Sequence, residues 1–184
     1  MTAERKLEIA KEVFRKEIKT LEYIQRNLNS IFIQIEEAVA SCNGKVILCG
    51  IGKSGHIARK ISATLASLGT SSFFLHPAEA LHGDLGMVSD KDTIIMISNS
   101  GETEEIVHLI PSLKIIGAKT ICITGKREST LAKECELVQI LEVNEEACHL
   151  NLAPTSSTTA ALVYGDALAI VISEDIGFSA TNFG

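Results

Sequence analysis

Apolar residues at Leu7, Ala10, Phe14, Leu21, Ile24, Leu28, Ile31, Ile35 and Ala38 recur at alternating threes and fours, the spacing of one helix face. Glu17 interrupts the stripe once, and Asn27-Leu28-Asn29-Ser30 offers a break, with Ser30 as the N-cap of a second helix. Residues 1–40 therefore read as an N-terminal helical segment that packs on the domain or on an oligomer partner. From residue 41 onward a single domain is expected, because no repeat, low-complexity stretch or proline-rich linker divides the chain. After residue 44 the pattern changes to short β-rich runs at 45–49, 72–75, 93–97, 120–123 and 137–141. Helical patterns at 54–68, 103–116, 129–135 and 156–172 separate or follow them. Alternation of this kind, with nearly continuous apolar strands, predicts an α/β fold whose parallel sheet is covered on both faces. Ligands of such folds sit at the carboxyl ends of the strands.

Composition narrows the class. The 184 residues carry 17 basic and 23 acidic side chains, a net charge of −6, with 46% hydrophobic residues and no tryptophan. A 19.8 kDa chain should expose ~8,600 Å² folded against ~29,000 Å² unfolded, enough burial for an independent core. Acidity argues against nucleic-acid binding. The most apolar late stretch, 160–172, is too short for a membrane span and contains Asp166. The charged residues after Met1 do not resemble a signal peptide, and the five cysteines lack any C-x-x-C spacing. A reducing, cytoplasmic setting is expected.

Candidate chemistry concentrates in three loops. The first strand runs into Gly50-Ile51-Gly52-Lys53-Ser54-Gly55-His56, where glycines let backbone approach a ligand and Lys53 can meet an anion at a helix start. Its spacing departs from the P-loop, and although it fits G-x-G-x-x-G, the next strand lacks the acid a dinucleotide site needs. The third strand ends in Ser98-Asn99-Ser100-Gly101-Glu102-Thr103, hydroxyls and a glycine before a new helix, suited to a phosphate monoester. A further hydroxyl cluster, Thr155-Ser156-Ser157-Thr158-Thr159, opens the last helix. Either cluster alone would be an ordinary N-cap. Of the acids Glu102, Glu104 and Glu105, at least one should point away from a bound dianion, and Glu105 is best placed to act on a sugar. Glu145 and Glu146 read from spacing alone as a solvated charge run. His76 and His82 flank a loop after the second strand at a separation compatible with metal ligation but diagnostic of nothing, so hydrogen-bonding loop histidines are the plainer reading.

Taken together, the segments 50–56, 76–86, 98–102, 121–125 and 152–159 closely resemble the arabinose 5-phosphate isomerases, which carry the sugar isomerase (SIS) domain. The resemblance covers roughly residues 40–183 with several motifs in order. It implies a three-layer αβα sandwich with a five-stranded parallel sheet, of SIS, flavodoxin-like type, and a homotetramer. It implies interconversion of D-ribulose 5-phosphate and D-arabinose 5-phosphate in Kdo biosynthesis, the route to an acidic sugar of lipopolysaccharide and some capsules. Lys53, Glu105 and Glu146 are implied as catalytically relevant, and Gly69, Thr70, His76 and His82 as contacting substrate. His76 also matches a zinc-linked position. Zinc in the family resembles an inhibitor, so no cofactor is implied. The expected substrate-binding set is completed from the loops by Gly52, Ser54, Ser98, Asn99, Ser100, Gly101, Thr103, Thr155, Ser156 and Ser157. Two departures follow: most members continue into paired CBS domains, and a His-Pro-Gly-Gly stretch with a catalytically relevant histidine follows the counterpart of Phe183. A form with the SIS domain alone is expected.

Aldose–ketose isomerisation needs a base for the proton alpha to the carbonyl, its return to the adjacent carbon, and stabilisation of an enediolate. One of Glu105 and Glu146 is expected to shuttle the proton while the other assists hydroxyl transfer or ring opening, with Lys53 offsetting negative charge. The alternatives are another SIS sugar-phosphate isomerase, and a noncatalytic SIS sensor of sugar phosphates or Kdo-type sugars.

Overall fold

The computed structural model describes residues 1–179 and 181–182 of the chain. Two helices come first, α1 (Ala3–Asn27) and α2 (Ser30–Ala40). Then β1 (Val46–Gly50), α3 (Gly52–Ser67), β2 (Ser72–Leu75), α4 (Pro77–Leu81) and a 3-10 turn (Asp84–Met87) follow. The remainder is β3 (Thr93–Ile97), α5 (Glu104–Val107), α6 (Ile110–Ile116), β4 (Lys119–Thr124), α7 (Thr130–Glu134), β5 (Leu137–Ile140) and α8 (Ser156–Asp175). The five strands pair in parallel in the order β2-β1-β3-β4-β5. Chain direction across the sheet reverses between β1 and β3, and that switch point opens a crevice at the carboxyl ends.

Alternation along the buried strands builds the three layers. Val46, Leu48, Ile95, Ile97, Ile121 and Ile123 turn to one face, where α2, α3 and α8 cover them. Ile47, Cys49, Ile94, Met96 and Cys122 turn to the other, under α5, α6 and α7. Period-two side chains of a strand thus feed two cores from one sheet. The αβα sandwich and its five strands match expectation, with strand ends displaced by no more than a residue or so.

The differences have local causes. Asn29, not Ser30, caps α2, its side chain accepting from the Ile31 N–H at 3.0 Å. The helix expected over 103–116 is two, α5 and α6, because Pro111 has no N–H to return to the carbonyl a turn earlier. Neither α4 nor the 3-10 turn shows in the apolar pattern. His76 starts α4 by accepting from the Ala78 N–H, with Pro77 preset at the first helical position.

The N-terminal stripe divides sharply. In α2, Phe32, Ile35, Ala38 and Val39 are core residues, whereas α1 buries none, and Leu7 and Phe14 are 59% and 71% exposed. Glu17, the residue that broke the stripe, is what fastens α1 to α8: its carboxylate accepts from the Thr159 hydroxyl at 2.9 Å. Among the described residues α8 is the one helix long and apolar enough to cross a membrane, and Ala160, Tyr164, Leu168 and Ile172 bury it in the core. Gly165 lets it lie directly on α3, since a Cβ there would strike Ile61.

Candidate active site

Chain after β1, β3, β4 and β5 converges with the start of α8 at the carboxyl end of the sheet. Ser54, Asn99, Thr124, Gly125, Leu141 and Ser157 line the narrow cleft between them. At ≈ 20 Å³ it admits about one water-sized group. A larger ligand could place a single group there and would lie across the rim.

The β3 loop is held from below. Asn99 O accepts from the Gly125 N–H at 3.0 Å and from the Thr124 hydroxyl at 3.3 Å, tying it to the end of β4. Gly101 stands at φ 66°, and a Cβ there would land on the Ser129 side chain, so only glycine keeps the loop down. Above this support the hydroxyls meet: Ser98 Oγ lies 2.8 Å from Thr103 Oγ1 and 3.4 Å from Ser100 Oγ. The Gly101 N–H also donates to Ser98 Oγ, at 3.1 Å. A cluster of rotatable hydroxyls on a rigid loop suits phosphate oxygens.

Glu102 is the acid that turns away. Its carboxylate accepts from the Thr130 N–H and hydroxyl, both at 2.8 Å, capping α7. The Thr130 hydroxyl and N–H hold that carboxyl below its ordinary range. Glu105, half-buried on α5, makes no side-chain hydrogen bond or salt bridge among the described residues, which leaves both its oxygens free. Lys53, exposed at the start of α3, likewise has no acidic partner among the described residues. Ile51, the residue before α3, supplies no side-chain cap, so the first N–H groups of α3 are left without a capping side chain.

Glu146 is not part of a solvated run. Its Oε2 accepts from the Thr155 N–H at 2.7 Å, the Thr155 hydroxyl at 3.1 Å and the Ser157 N–H at 3.2 Å, occupying the start of α8. Burial pushes the carboxyl up, but hydrogen bonds from Ser157 and Thr155 outweigh it and hold it below the ordinary range. Every one of those bonds falls on one oxygen, so Oε1 remains available. Glu145 points elsewhere, pairing with Lys16 of α1 at 2.9 Å.

The expected substrate-binding residues separate into groups. Ser54, Asn99 and Ser157 reach the cleft, and Ser98, Ser100, Gly101 and Thr103 form the loop beside it. Gly52 adopts φ 57° at the first turn of α3, where Lys53 is presented. Thr155 has its hydroxyl engaged with Glu146 and the Ala147 N–H, while Ser156 is wholly buried with Oγ unpartnered. The start of α8, which supplies three of the expected substrate-binding residues, also holds the Glu146 carboxylate. Gly69 and Thr70 lie between α3 and β2, at the amino end of the sheet beside Val46 and Ile172. A strand of this length puts them ~15 Å from the cleft, so the structure does not bring them to it within one chain. His76 and His82 bracket α4 after β2; the His76 Nδ1 is used in capping, and no cluster of three potential metal ligands occurs among the described residues. Thr124 and Gly125 were missed as site residues; their signal was the hydroxyl–glycine pair directly after an apolar strand.

The chain is similar to known proteins of the same fold. The profile of the SIS domain matches residues 39–171. Arabinose 5-phosphate isomerase KdsD of Salmonella typhi is 52% identical over 173 residues, which are 94% of this chain and 53% of that protein. KdsD of Escherichia coli K12 is 51% identical over the same shares. The chain thus spans about half the length of these curated relatives. The solved structure of c3406 from E. coli CFT073 in complex with arabinose 5-phosphate superposes with a TM-score of 0.97 at 45% identity, covering 100% of this chain and 98% of that one.

Proposed function

The chain belongs to the SIS domain family, and from that premise we propose that it interconverts D-ribulose 5-phosphate and D-arabinose 5-phosphate. The observation that supports this reading is that Lys53 at the start of α3, the Ser98–Thr103 hydroxyl loop after β3 and Glu146 after β5 all follow the carboxyl ends of parallel strands, around a cleft lined by Ser54, Asn99 and Ser157. Similarity to KdsD proteins and to a structure holding arabinose 5-phosphate supports the choice of substrate.

The loop hydroxyls would anchor the phosphate, and its binding energy orients the reacting carbons. Glu105, free of other bonds, takes the proton from C1 of the ketose and returns it to C2 of the enediolate. Glu146 Oε1 moves the hydroxyl proton between O1 and O2, so that atoms balance with no redox change. Lys53 offsets the charge that develops on the enediolate oxygen. His76 and His82 are proposed to touch the sugar from the β2 side, and zinc bound at His76 would block them.

A homotetramer is part of this proposal, supported by the apolar face that α1 leaves uncovered. A cytoplasmic setting is supported by five free cysteines, and the product would serve Kdo biosynthesis. Steady-state kinetics of Glu105→Gln and Glu146→Gln test the roles. Each variant should keep its circular dichroism and lose at least ~10²-fold in kcat, the scale of general acid–base catalysis. Near-normal turnover in both would remove these residues from the mechanism.

A further inference from the structure

Away from the sheet end, a second cleft lies between the α1–α2 turn and β5, whose outer edge pairs with no strand among the described residues. It measures ≈ 90 Å³, and Tyr23, Asn27, Asn29, Arg127, Gln139 and Glu142 supply its polar lining. Gln139 is the unusual member. It is 4% exposed, its Nε2 donates to the Ile140 carbonyl at 3.0 Å, and its Oε1 has no hydrogen-bond partner. A buried amide oxygen left without a donor is costly, and native structures seldom retain one without a ligand or water to complete it.

The rest of the lining states what the donor should be attached to. Arg127 has no acidic partner among the described residues, so its guanidinium fork can receive a carboxylate. Asn27 and Asn29 each direct one side-chain N–H to a backbone carbonyl, that of Tyr23 at 2.8 Å and that of Asn27 at 3.4 Å. Among the described residues Glu142 meets only the Tyr23 hydroxyl, at a long 3.5 Å. A carboxylate so placed repels a dianion but accepts readily from a hydroxyl. The adjoining groove carries Lys16, Lys19 and Arg26 against Glu142 and Glu145; with Lys16 paired to Glu145, Lys19 and Arg26 leave a net positive charge beside the cleft. We propose that the cleft is a second ligand site, built for a small hydroxylated monocarboxylate: the carboxylate on Arg127, one hydroxyl donating to Gln139 Oε1 as that buried amide turns outward to meet it, and another to Glu142. At ≈ 90 Å³ the cleft limits the ligand to an acid of a few carbon atoms, of the size of glycerate.

Its position gives occupancy a route to the sheet end. Arg127 belongs to the loop whose Gly125 lines the candidate active cleft, and Glu142 begins the segment that carries Glu146. A ligand bridging Arg127 and Glu142 holds both loops at once, and any change it makes in sugar-phosphate affinity is matched by an equal change in its own.

Isothermal titration calorimetry of the full chain with D-glycerate tests this, with propionate as the probe that lacks hydroxyls. D-glycerate should bind, propionate should bind about tenfold more weakly or not at all, and Arg127→Ala should weaken D-glycerate by about tenfold, the scale of a charge-assisted hydrogen bond. Gln139→Leu should have the same effect in a chain that is still folded by circular dichroism. Binding of D-glycerate should persist with arabinose 5-phosphate added in excess, which separates this site from the sheet end whatever the catalytic outcome. Absence of heat with D-glycerate, equal binding of propionate, or unchanged binding in Arg127→Ala would overturn the proposal and leave a cleft that holds water only.

Discussion

Asp92 is a residue no motif marked, yet it joins two elements. Its carboxylate accepts from the Lys45 N–H and the Ser89 N–H, both at 2.7 Å, and from the Ser89 hydroxyl at 3.0 Å, while remaining 5% exposed. Burial pushes the carboxyl up, and the N–H groups of Lys45 and Ser89 overcome that and hold it below its ordinary value. Replacing it with alanine strands those donors and should cost about 2–4 kcal/mol, read from urea unfolding near neutral pH. Because the folded pKa is the lower one, its contribution is present above the unfolded value of ~3.9 and fades as pH falls through the folded value. The gap between the wild type and Asp92→Ala should therefore narrow as pH is lowered below the unfolded value of ~3.9; a constant gap would mean the loss is one of packing. Glu146 shows the same limit of sequence reading from the other side. Its neighbours in the chain are Glu145 and Ala147, whereas the groups that define it, Thr155 and Ser157, belong to the start of α8. Spacing could not reveal a carboxylate placed on a helix start across a loop.

At the level of elements, apolar period decides what can be seen. Strands buried on both faces are legible as unbroken runs such as Thr93–Ile97, and their ends agree closely with the structure. Short elements are not, because five residues of α4 carry no period and depend on His76 and Pro77 for their start. Pro111 is plain in the sequence, but the apolar stripe runs past it without a gap and hides the break between α5 and α6. The contact of α3 with α8 rests on Gly165, where a methyl group would meet Ile61. Gly165→Ala should lower stability by about 1–3 kcal/mol through overpacking, and Ile61→Val in the same chain should recover part of that. No recovery would place the strain in the helix backbone. For the β3 loop, Gly101→Ala should raise KM for the sugar phosphate more than it lowers kcat, since a Cβ at Gly101 meets the Ser129 side chain and lifts the loop that carries the hydroxyls.

The whole molecule exposes 9902 Å², against ~8,600 Å² for a compact monomer of its mass. The excess agrees with a first helix that buries no residue and shows Leu7, Phe14 and Ile18 to solvent. The stripe in the sequence was real but could not say whether its partner was this chain or another, since the same period serves both. A chain with Leu7→Lys and Phe14→Lys should sediment as a smaller species than the wild type with its helix content intact; an unchanged sedimentation coefficient would show that α1 takes no part in assembly. At this scale the sheet end, the three loops and the family all bear on catalysis together. Its direct test is conversion of D-ribulose 5-phosphate to D-arabinose 5-phosphate by the purified chain, in parallel with Lys53→Ala. The account predicts turnover by the wild type that falls at least ~10²-fold in the variant. A wild-type chain that is stabilised by the sugar phosphate but never converts it would contradict the account and leave a binding domain in place of an isomerase.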